Sequence, residues 1–248
     1  MKEWISGRNP VFEALRARRR QVFRLLVAEG AQEKGRLAEI LQLCAANRVP
    51  VERAARSRLE ALSTGSQGVA LEAGDYPYCN LPDILDFAKE RGEDPFVLIL
   101  DTLQDPQNLG TLLRTAEAVG VHGVLLPFRR TATITPAVVH ASSGASEHLL
   151  IAQVNLAQAI TALKEANLWV LGLDQSAEAV EISQVRLAGP LAWVVGNEGE
   201  GMRPLVRSSC DRLVSLPMRG QVDSLNAAVA GSVALYQAWQ ARRSLHQN

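Results

Sequence analysis

The sequence has few cysteines, and their positions exclude two common roles. Three cysteines (Cys44, Cys79 and Cys210) lie far apart in a chain of 248 residues. Their odd number and wide spacing give neither a disulfide framework nor a zinc-binding pattern, and they are typical of proteins from a reducing compartment. The four scattered histidines do not complete a ligand set. We therefore expect no bound metal.

Long apolar runs are also missing. No run reaches the roughly 18 residues that a membrane-spanning helix needs, and the first seven residues contain no apolar signal core. These absences predict a cytoplasmic protein. Apolar residues still make up 47% of the chain. That fraction excludes global disorder, and the length suits one large domain or two modest ones.

The sequence has no net charge, but its charges are unevenly distributed. Residues 1–75 carry 13 Lys/Arg against 9 Asp/Glu, whereas residues 76–248 carry 13 against 17. The basic excess is concentrated in two groups of arginines: Arg16, Arg18, Arg19, Arg20 and Arg24, and then Arg53, Arg56 and Arg58. Such groups either follow a phosphate backbone or form a solvated helix face, and charge alone leaves both interpretations open.

The pattern of apolar residues predicts two parts joined by a linker. Residues 1–75 predict a small α/β unit, and the turn-rich residues 76–94 predict a linker with a short helix. In the first part, helices are expected from Asn9-Pro10 and over 33–46 and 57–62, and strands over 22–28, 49–51 and 67–73.

From residue 95 to residue 248, apolar strands alternate with helices. The predicted strands are 96–100, 123–126, 149–154, 169–173, 191–195 and 213–216, and the predicted helices are 108–119, 136–143, 157–166 and 224–242. This alternation predicts a parallel sheet covered on both faces, with its ligand beyond the carboxyl ends of the strands. A core stripe is expected on the last helix: Leu225, Val229, Val233 and Tyr236.

Three loops that follow predicted strands have unusual sequences. They cover residues 101–110, 196–202 and 216–226. Neither Gly-x-Gly-x-x-Gly after the first strand nor Gly-x-x-x-x-Gly-Lys-Ser/Thr is present. The three glycines of the second loop let a backbone approach a ligand closely, but the two glutamates of this loop would repel a pyrophosphate. A nucleotide-dependent oxidoreductase is therefore the weakest interpretation.

In order along the chain, the three loops resemble the signature motifs of the SpoU/TrmH branch of the SPOUT methyltransferases. The motifs are Asn-x-Gly-x-x-x-Arg at 108–114, Asn-Glu-x-x-Gly at 197–201 and Pro-Met-x-Gly-x-x-x-Ser-Leu-Asn at 217–226. The opening sequence at 5–15, Ile-Ser-Gly-Arg-Asn-Pro-Val-Phe-Glu-Ala-Leu, resembles the ribosomal-protein-like substrate-binding domain of that family. The resemblance covers nearly the whole chain.

This resemblance implies a fold class, a cofactor and a reaction. The fold would be α/β, with a knotted (trefoil) SPOUT parallel-sheet domain at 95–248 after a small RNA-binding domain at 1–75 and a linker at 76–94. S-adenosylmethionine (SAM) would lie in the knot, and the protein would be a homodimer with each site near the subunit interface. The layout resembles that of RlmB-type enzymes, which methylate the 2'-oxygen of a guanosine in 23S rRNA during ribosome maturation.

Two other functions remain open. One is a tRNA ribose 2'-O-methyltransferase, although the separate N-terminal domain favours rRNA. The other is a non-catalytic RNA-binding factor for ribosome assembly, which would not need the full set of motif residues.

The resemblance assigns catalytic roles to five residues: Asn108, Arg114, Glu198, Ser224 and Asn226. Ordinary alternatives exist for most of them. Asn108 and Ser224 are also good helix N-caps, Arg114 has the alternative of a surface arginine, and Glu198 that of a solvated loop acid. A guanidinium group stays protonated in proteins, so Arg114 is easier to defend as a phosphate-binding group than as a base.

The resemblance also implies residues that hold the cofactor, and the sequence offers candidates for RNA contact. Three backbones would hold the adenine or ribose of SAM: Gly196, Leu216 and Leu225. Three arginines of the N-terminal part are candidates for RNA contact: Arg8, Arg18 and Arg19. Arg129 and Arg130 are similar candidates in the second part. His140 and His148 suggest a general base, but histidines of loops and cores are commoner.

Overall fold

A computed structural model describes residues 2–63 and 65–245. Its strands are β1 (Lys2–Ser6), β2 (Val22–Ala28), β3 (Val51–Ala54), β4 (Val69–Gly74), β5 (Phe96–Leu100), β6 (Gly123–Pro127), β7 (Leu150–Val154), β8 (Trp169–Leu173), β9 (Val180–Glu181), β10 (Leu191–Val195) and β11 (Arg212–Ser215). Its α-helices are α1 (Arg8–Ala17), α2 (Arg36–Ala46), α3 (Arg56–Leu62), α4 (Leu81–Glu90), α5 (Pro106–Ala118), α6 (Pro136–Ala141), α7 (Leu156–Glu165), α8 (Pro204–Ser209) and α9 (Ala227–Leu245). Short 3-10 helices cover Ala145–His148 and Ile182–Gln184.

The chain forms two compact units. Unit 1 comprises Met1–Pro77 and Thr133–His148, and unit 2 comprises Tyr78–Ala132 and Leu149–Asn248. Unit 1 thus includes a segment, with helix α6, that follows the first part of the chain by more than fifty residues. The helix expected within the linker is α4, and it belongs to unit 2.

Within the described residues, unit 1 contains a four-stranded sheet in the order β1-β4-β2-β3. Strand β4 pairs antiparallel with β1 and β2, and β3 pairs parallel with β2. Its core includes Ile5, Leu25, Leu26 and Leu71, all fully buried. Strand β1 was not predicted, because five residues that begin Lys-Glu carry little apolar pattern and the strand forms by pairing with the distant β4.

Unit 2 contains the seven-stranded sheet of the described chain, in the order β7-β6-β5-β10-β8-β11-β9. Every pair of neighbours is parallel. Strands β5, β6 and β10 are buried along their whole length, as expected of a parallel sheet with both faces covered. The α/β class with a parallel sheet, predicted from the sequence, is confirmed.

The interpretation of the last helix was wrong in one respect. The proposed core stripe is exposed: Leu225 37%, Val229 47%, Val233 38% and Tyr236 46%. The buried face instead carries small residues and a leucine: Ala227, Ala228, Gly231, Ala234 and Leu235. A Cβ at Gly231 would lie 2.6 Å from Leu112 of α5. The small residues therefore bring α9 close to α5 and leave the large apolar residues on the outside.

Candidate active site

The loops with unusual sequences meet at one edge of the parallel sheet of unit 2. Strands β5 and β10 are neighbours, and their carboxyl ends lie at the same edge. From β5 the next strands, β6 and β7, lie on one side, whereas β8 and β11 lie on the other side beyond β10. Ligands of open α/β sheets bind at such a change of direction. The sheet therefore marks the ends of β5 and β10 as the place of the site.

Three predicted catalytic residues form a hydrogen-bonded cluster at this edge. The Nδ2 of Asn108 donates to Oε1 of Glu198 at 2.6 Å. The Nδ2 of Asn226 donates to the same oxygen and lies 3.2 Å from Oδ1 of Asn108. We refer to Asn108, Glu198 and Asn226 as the site network. Residues that are 118 positions apart in the sequence are thus joined within one exposed group.

Helix capping at the site differs from the simplest sequence interpretation. Asp105, not Asn108, is the N-cap of α5, and its carboxylate accepts from the backbone N of Gln107 at 3.0 Å. Asn108 lies in the first turn, which frees its side chain for Glu198. Asn226, not Ser224, caps α9, because its Oδ1 accepts from the backbone N of Ala228 at 3.0 Å. Asn226 therefore serves the helix with its oxygen and the site network with its nitrogen.

The loop after β10 is held in a tight conformation. The Oδ1 of Asn197 accepts from the backbone N of Gly199 at 2.9 Å and of Glu200 at 2.7 Å. A Cβ at Gly196 would lie 2.2 Å from the backbone of Gly201. Only glycine fits at such a close approach of two backbone segments, so Gly196 is required for the shape of the loop that presents Glu198.

Buried Asp101, directly after β5, ties this loop to its neighbour. Its carboxylate accepts from the backbone N and the Nε of Arg203, at 2.8 and 2.7 Å. Thr102 follows with a φ of 60°, a conformation that costs a β-branched residue of order 1–3 kcal/mol. Its Oγ1 lies 3.3 Å from Nδ2 of Asn197. The loops after β5 and β10 are therefore fixed to each other by two sets of contacts near the site network.

A cavity of about 370 Å³ opens beside the site network, between the loops after β8, β10 and β11 and the start of α9. All three residues expected to hold the cofactor line it, as do two of the expected catalytic residues: Gly196, Leu216 and Leu225, and then Glu198 and Ser224. The volume lies within the range of small-molecule sites. The backbone atoms and the apolar side chains that line this part of the cavity suit a flat, partly apolar ligand.

The cavity also has a wall that we did not predict, formed by the residues after β8. It consists of Asp174, Gln175 and Ser176. Burial raises the pKa of Asp174, but hydrogen bonds from Ser176 and Arg207 outweigh burial and hold this pKa below its usual value. Asp174 thus stays ionised beside the cavity. The rule that ligands lie beyond the carboxyl ends of parallel strands, applied to β8, would have found this segment.

Arg114, the fourth predicted catalytic residue, lies on the same helix as Asn108. It is exposed on α5, six residues beyond Asn108, which corresponds to about 9 Å along the helix axis. Its exposure leaves the guanidinium accessible to a ligand of opposite charge.

The three arginines expected to contact RNA differ in their surroundings in unit 1. Arg18 is exposed and ends α1 in the left-handed conformation. Arg8 is half-buried and donates from its backbone N to Oε1 of Gln67 at 3.0 Å. Arg19 is half-buried and donates to the hydroxyl of Tyr76 at 3.1 Å. Arg18 therefore has the most accessible charge of the three.

Two histidines with a possible base role are engaged within unit 1. The Nε2 of His148 lies 2.7 Å from a carboxylate oxygen of Glu13, and Nδ1 of His140 lies 3.4 Å from the carbonyl oxygen of Ser6. Both contacts stabilise the packing of the 133–148 segment with the N-terminal strand and helix. These contacts give both histidines a structural role in the packing of unit 1.

Other chemistries find little support in the described residues. No group of three or more His, Cys, Asp or Glu side chains there could hold a metal ion, and His246 lies outside them. Burial raises the pKa of Cys44 to about 11 and that of Cys210 to about 12, so neither thiol is a ready nucleophile. Of the helices in residues 2–63 and 65–245, none is long and apolar enough to cross a bilayer.

Comparisons with known proteins agree with the geometry. A model of the SpoU rRNA methylase family matches residues 95–236, and a model of the RNA 2'-O ribose methyltransferase substrate-binding domain matches residues 4–79. The chain is 40% identical over 242 residues to YacO of Bacillus subtilis, whose name assigns it to the TrmH family of tRNA/rRNA methyltransferases. That alignment covers 97% of this chain and 96% of YacO.

Two solved structures are similar over nearly the full length. The SpoU methyltransferase AviRb of Streptomyces viridochromogenes, in complex with SAM, has a TM-score of 0.80 at 24% identity and covers 98% of this chain and 91% of its own. An RNA 2'-O ribose methyltransferase has a TM-score of 0.76 at 27% identity and covers 97% of this chain and 88% of its own. The fold is therefore shared beyond the three motifs.

Proposed function

Because the chain belongs to the SpoU/TrmH family of RNA 2'-O-ribose methyltransferases, we propose that it methylates the 2'-oxygen of a guanosine ribose in 23S rRNA during ribosome maturation, with SAM as the methyl donor. The observation that carries this proposal is the site network beside the 370 Å³ cavity. A polar cluster next to a ligand-sized pocket is the arrangement that a transferase needs.

The cavity fits SAM in shape and in charge. Its apolar wall, with Leu216 and Leu225, suits the adenine, while Asp174 and Glu198 provide negative charge for a cationic ligand. When bound, SAM supplies an electrophilic methyl group on its sulfonium. Backbone groups of Gly196, Leu216 and Leu225 would hold the adenine or the ribose of the cofactor, and Ser224 would line the same pocket.

The site network orients the nucleophile. Two amide groups donate to Oε1 of Glu198, and in the described part of the chain Oε2 of Glu198 accepts no hydrogen bond. We assign Oε2 to the hydrogen bond of the ribose 2'-hydroxyl, which is a weak acid that must be aligned with the methyl carbon. Asn108 and Asn226 hold the carboxylate in that orientation.

Arg114 has a different role. A guanidinium stays protonated, so it cannot act as the base. We assign Arg114 to the RNA phosphate beside the target ribose, where its charge also favours a developing oxyanion.

A homodimer is part of the proposal. Five large apolar side chains in or just before α9 are between 37% and 65% exposed, and most of them lie along one face of this helix. They are Val222, Leu225, Val229, Val233 and Tyr236. Contiguous exposed apolar residues usually mark an interface. A second copy of the chain would cover them. Since Leu225 also lines the cavity, each site would lie near the subunit interface.

The two parts of the chain have separate tasks in this proposal. Residues 1–75 bind the RNA substrate, with contacts from Arg8, Arg18 and Arg19, residues 76–94 link the parts, and residues 95–248 carry catalysis. The match of residues 4–79 to a substrate-binding model supports this division. As predicted from the sequence, the protein would act in the cytoplasm.

Transfer of labelled methyl from SAM to undermethylated large-subunit rRNA tests the proposal. Arg114→Ala should lower the rate at least about 100-fold, as loss of one stabilising group does in other enzymes. Arg212→Ala, which removes an exposed arginine at the start of β11, should have little effect. Mapping of the methylated ribose identifies the nucleotide.

Other outcomes would change the proposal. Methylation of tRNA alone would replace rRNA by tRNA, a substrate class that the name of YacO includes. No transfer and no SAM binding would favour the non-catalytic assembly factor. Equal rates for Arg114→Ala and Arg212→Ala would remove Arg114 from the mechanism.

A further inference from the structure

A second cleft, of about 500 Å³, lies at the carboxyl ends of β6 and β7 in unit 2. Strand β6 is the direct neighbour of β5, so the cleft begins about 5 Å from the strand that leads into the site network. The cleft is lined by the loop after β6, the start of α7 and the start of α8. Neither the family motifs nor the proposed cofactor pocket includes these residues.

Two large apolar side chains line this cleft and are exposed. Phe128, directly after β6, and Leu205, at the start of α8, are each 67% exposed. The chain has only 5 phenylalanines among its 248 residues, so an aromatic ring placed in solvent is conspicuous. Exposed apolar groups within a cleft indicate a partner that covers them.

The cleft is also basic. Arg129 and Arg130 are exposed, and neither side chain forms a hydrogen bond or an ion pair within residues 2–63 and 65–245. Arg203 uses its backbone N and Nε for Asp101, and its terminal nitrogens have no partner among the described residues. None of the described residues that line the cleft is acidic. Free guanidinium groups beside an aromatic ring suit a ligand with both phosphates and flat bases.

Two connections join the segments around the cleft to the loop after β5, which leads to the site network. The Oγ1 of Thr131 and the backbone N of Ala132 both donate to the carbonyl oxygen of Leu103, at 3.0 and 2.8 Å. Leu103 belongs to the loop that follows β5. The pair of Arg203 with Asp101 makes a second connection. A nucleotide held in the cleft would therefore be held at a fixed position relative to the target ribose.

We propose that this cleft binds an unpaired nucleotide that flanks the methylated position in the RNA substrate. Its base stacks on Phe128, and the adjoining phosphates bind Arg129 and Arg130. RNA is read mainly in single-stranded segments whose bases are splayed onto aromatic side chains, and a duplex would keep its bases away from Phe128. The inference rests on the proposed RNA substrate and names a part of the chain that selects it.

Binding of a labelled, unstructured oligouridylate to the full-length protein tests the cleft without any methyl transfer. Phe128→Ala should raise the Kd about 10-fold, since stacking contributes that much per base, and should leave the salt dependence unchanged. Arg129→Gln with Arg130→Gln should reduce the slope of log Kd against log salt by about 1.4, because two phosphate contacts are lost. The matched controls are Trp169→Ala, for an aromatic residue 43% exposed at the start of β8, and Arg186→Gln with Arg212→Gln.

The outcomes separate this inference from the proposed function. Suppose that Phe128→Ala and the double arginine variant bind the RNA as the wild type does, while the wild type methylates rRNA. The proposed RNA-binding role of the cleft is then wrong, and the proposed function is retained. If the wild type transfers no methyl but Phe128→Ala still weakens RNA binding, the cleft stands and the function falls. SAM binding and thermal unfolding of each variant must match those of the wild type. An equal loss with the control variants also overturns the inference.

Discussion

The chain contains two networks of polar side chains that differ in burial. The site network in unit 2 is exposed or half-buried. Unit 1 contains what we call the inner network: Glu3, Arg19, Arg20, Tyr76 and Glu147. In it, Arg20 donates to both carboxylate oxygens of Glu147, at 2.7 and 2.9 Å, and both side chains are at most 1% exposed.

The difference shows what each network is for. A buried charge must be paired, so the inner network is needed by the fold that buries it. Asn108 and Glu198 in the site network have no such need, because water would satisfy them equally well. A cluster that folding does not require is best explained by a ligand. The same distinction applies to arginines: the basic excess of residues 1–75 is largely paired with glutamates, whereas Arg129 and Arg130 in the acidic part of the chain are free among the described residues.

The largest expected effect breaks the inner network. Arg20→Ala leaves Glu147 buried without its partner, and the loss of a partner from a buried pair costs roughly 3–5 kcal/mol of unfolding free energy. Unfolding in urea, followed by circular dichroism, measures it. Methyl transfer below the unfolding transition should remain close to that of the wild type.

Arg24→Ala is the matched control, since Arg24 also has two glutamate partners, Glu52 and Glu72. Its side chain is 31% exposed, so solvent replaces the lost contacts and the loss of stability should be much smaller. Equal losses for the two variants would mean that burial does not distinguish these arginines.

The next effect breaks the site network. Asn226→Ala removes a helix cap, worth about 1 kcal/mol, and also releases the carboxylate of Glu198. We expect a fall in methyl transfer of about 100-fold, because a misplaced group near the chemistry has that effect. Asp105→Ala removes the other cap at this edge without touching Glu198. If both variants lose the same activity, capping alone explains Asn226 and the site network has no catalytic part.

The sequence predicted the sheet of unit 2 well because each strand is a short apolar run, buried on both faces, that needs no partner to be identified. Strands β5, β8 and β10 were predicted with their observed bounds. The face of α9 was predicted wrongly because nearly all of that helix is apolar or small, so its pattern allows two buried faces. The contact with Leu112 and Val195 chooses between them, and no local pattern encodes it.

The remaining features could not be predicted because they depend on contacts between residues far apart in the sequence. The pair of Arg20 and Glu147 spans 127 positions, so an arginine that seemed available for nucleic acid is buried in an ion pair. At the site, the motif resemblance named Asn108, Glu198 and Asn226, and the structure brings these three together. It did not name Asp101 or Asp174, whose importance depends on which strands are neighbours. Sequence patterns thus identified the loops of the site, whereas the order of the strands in the sheet was needed to identify Asp101 and Asp174 beside them.

The smallest expected effect concerns a pair in unit 2 in which only one of the two partners is buried. His122 is 2% exposed, whereas its partner Glu93 is 44% exposed. The Nδ1 of His122 accepts from the backbone N of Phe96 at 3.0 Å, and Nε2 lies 3.1 Å from Glu93. Burial lowers the pKa of His122, and the attraction of Glu93 does not offset it. Protonation would also remove the acceptor that Phe96 uses.

The pH dependence of stability follows from this shift. A histidine with a lowered pKa in the folded state takes up its proton first in the unfolded chain, so its contribution is lost as pH falls below about 6.5. His122→Asn keeps an acceptor for Phe96 but does not titrate. Between about pH 7.5 and pH 5.5, the urea midpoint of the wild type should fall more than that of the variant. If the urea midpoints of the wild type and the variant fall equally with pH, a pair with one buried partner behaves like an exposed pair. Burial of both partners, as in Arg20 and Glu147, would then be required for a charge to affect the stability of the fold.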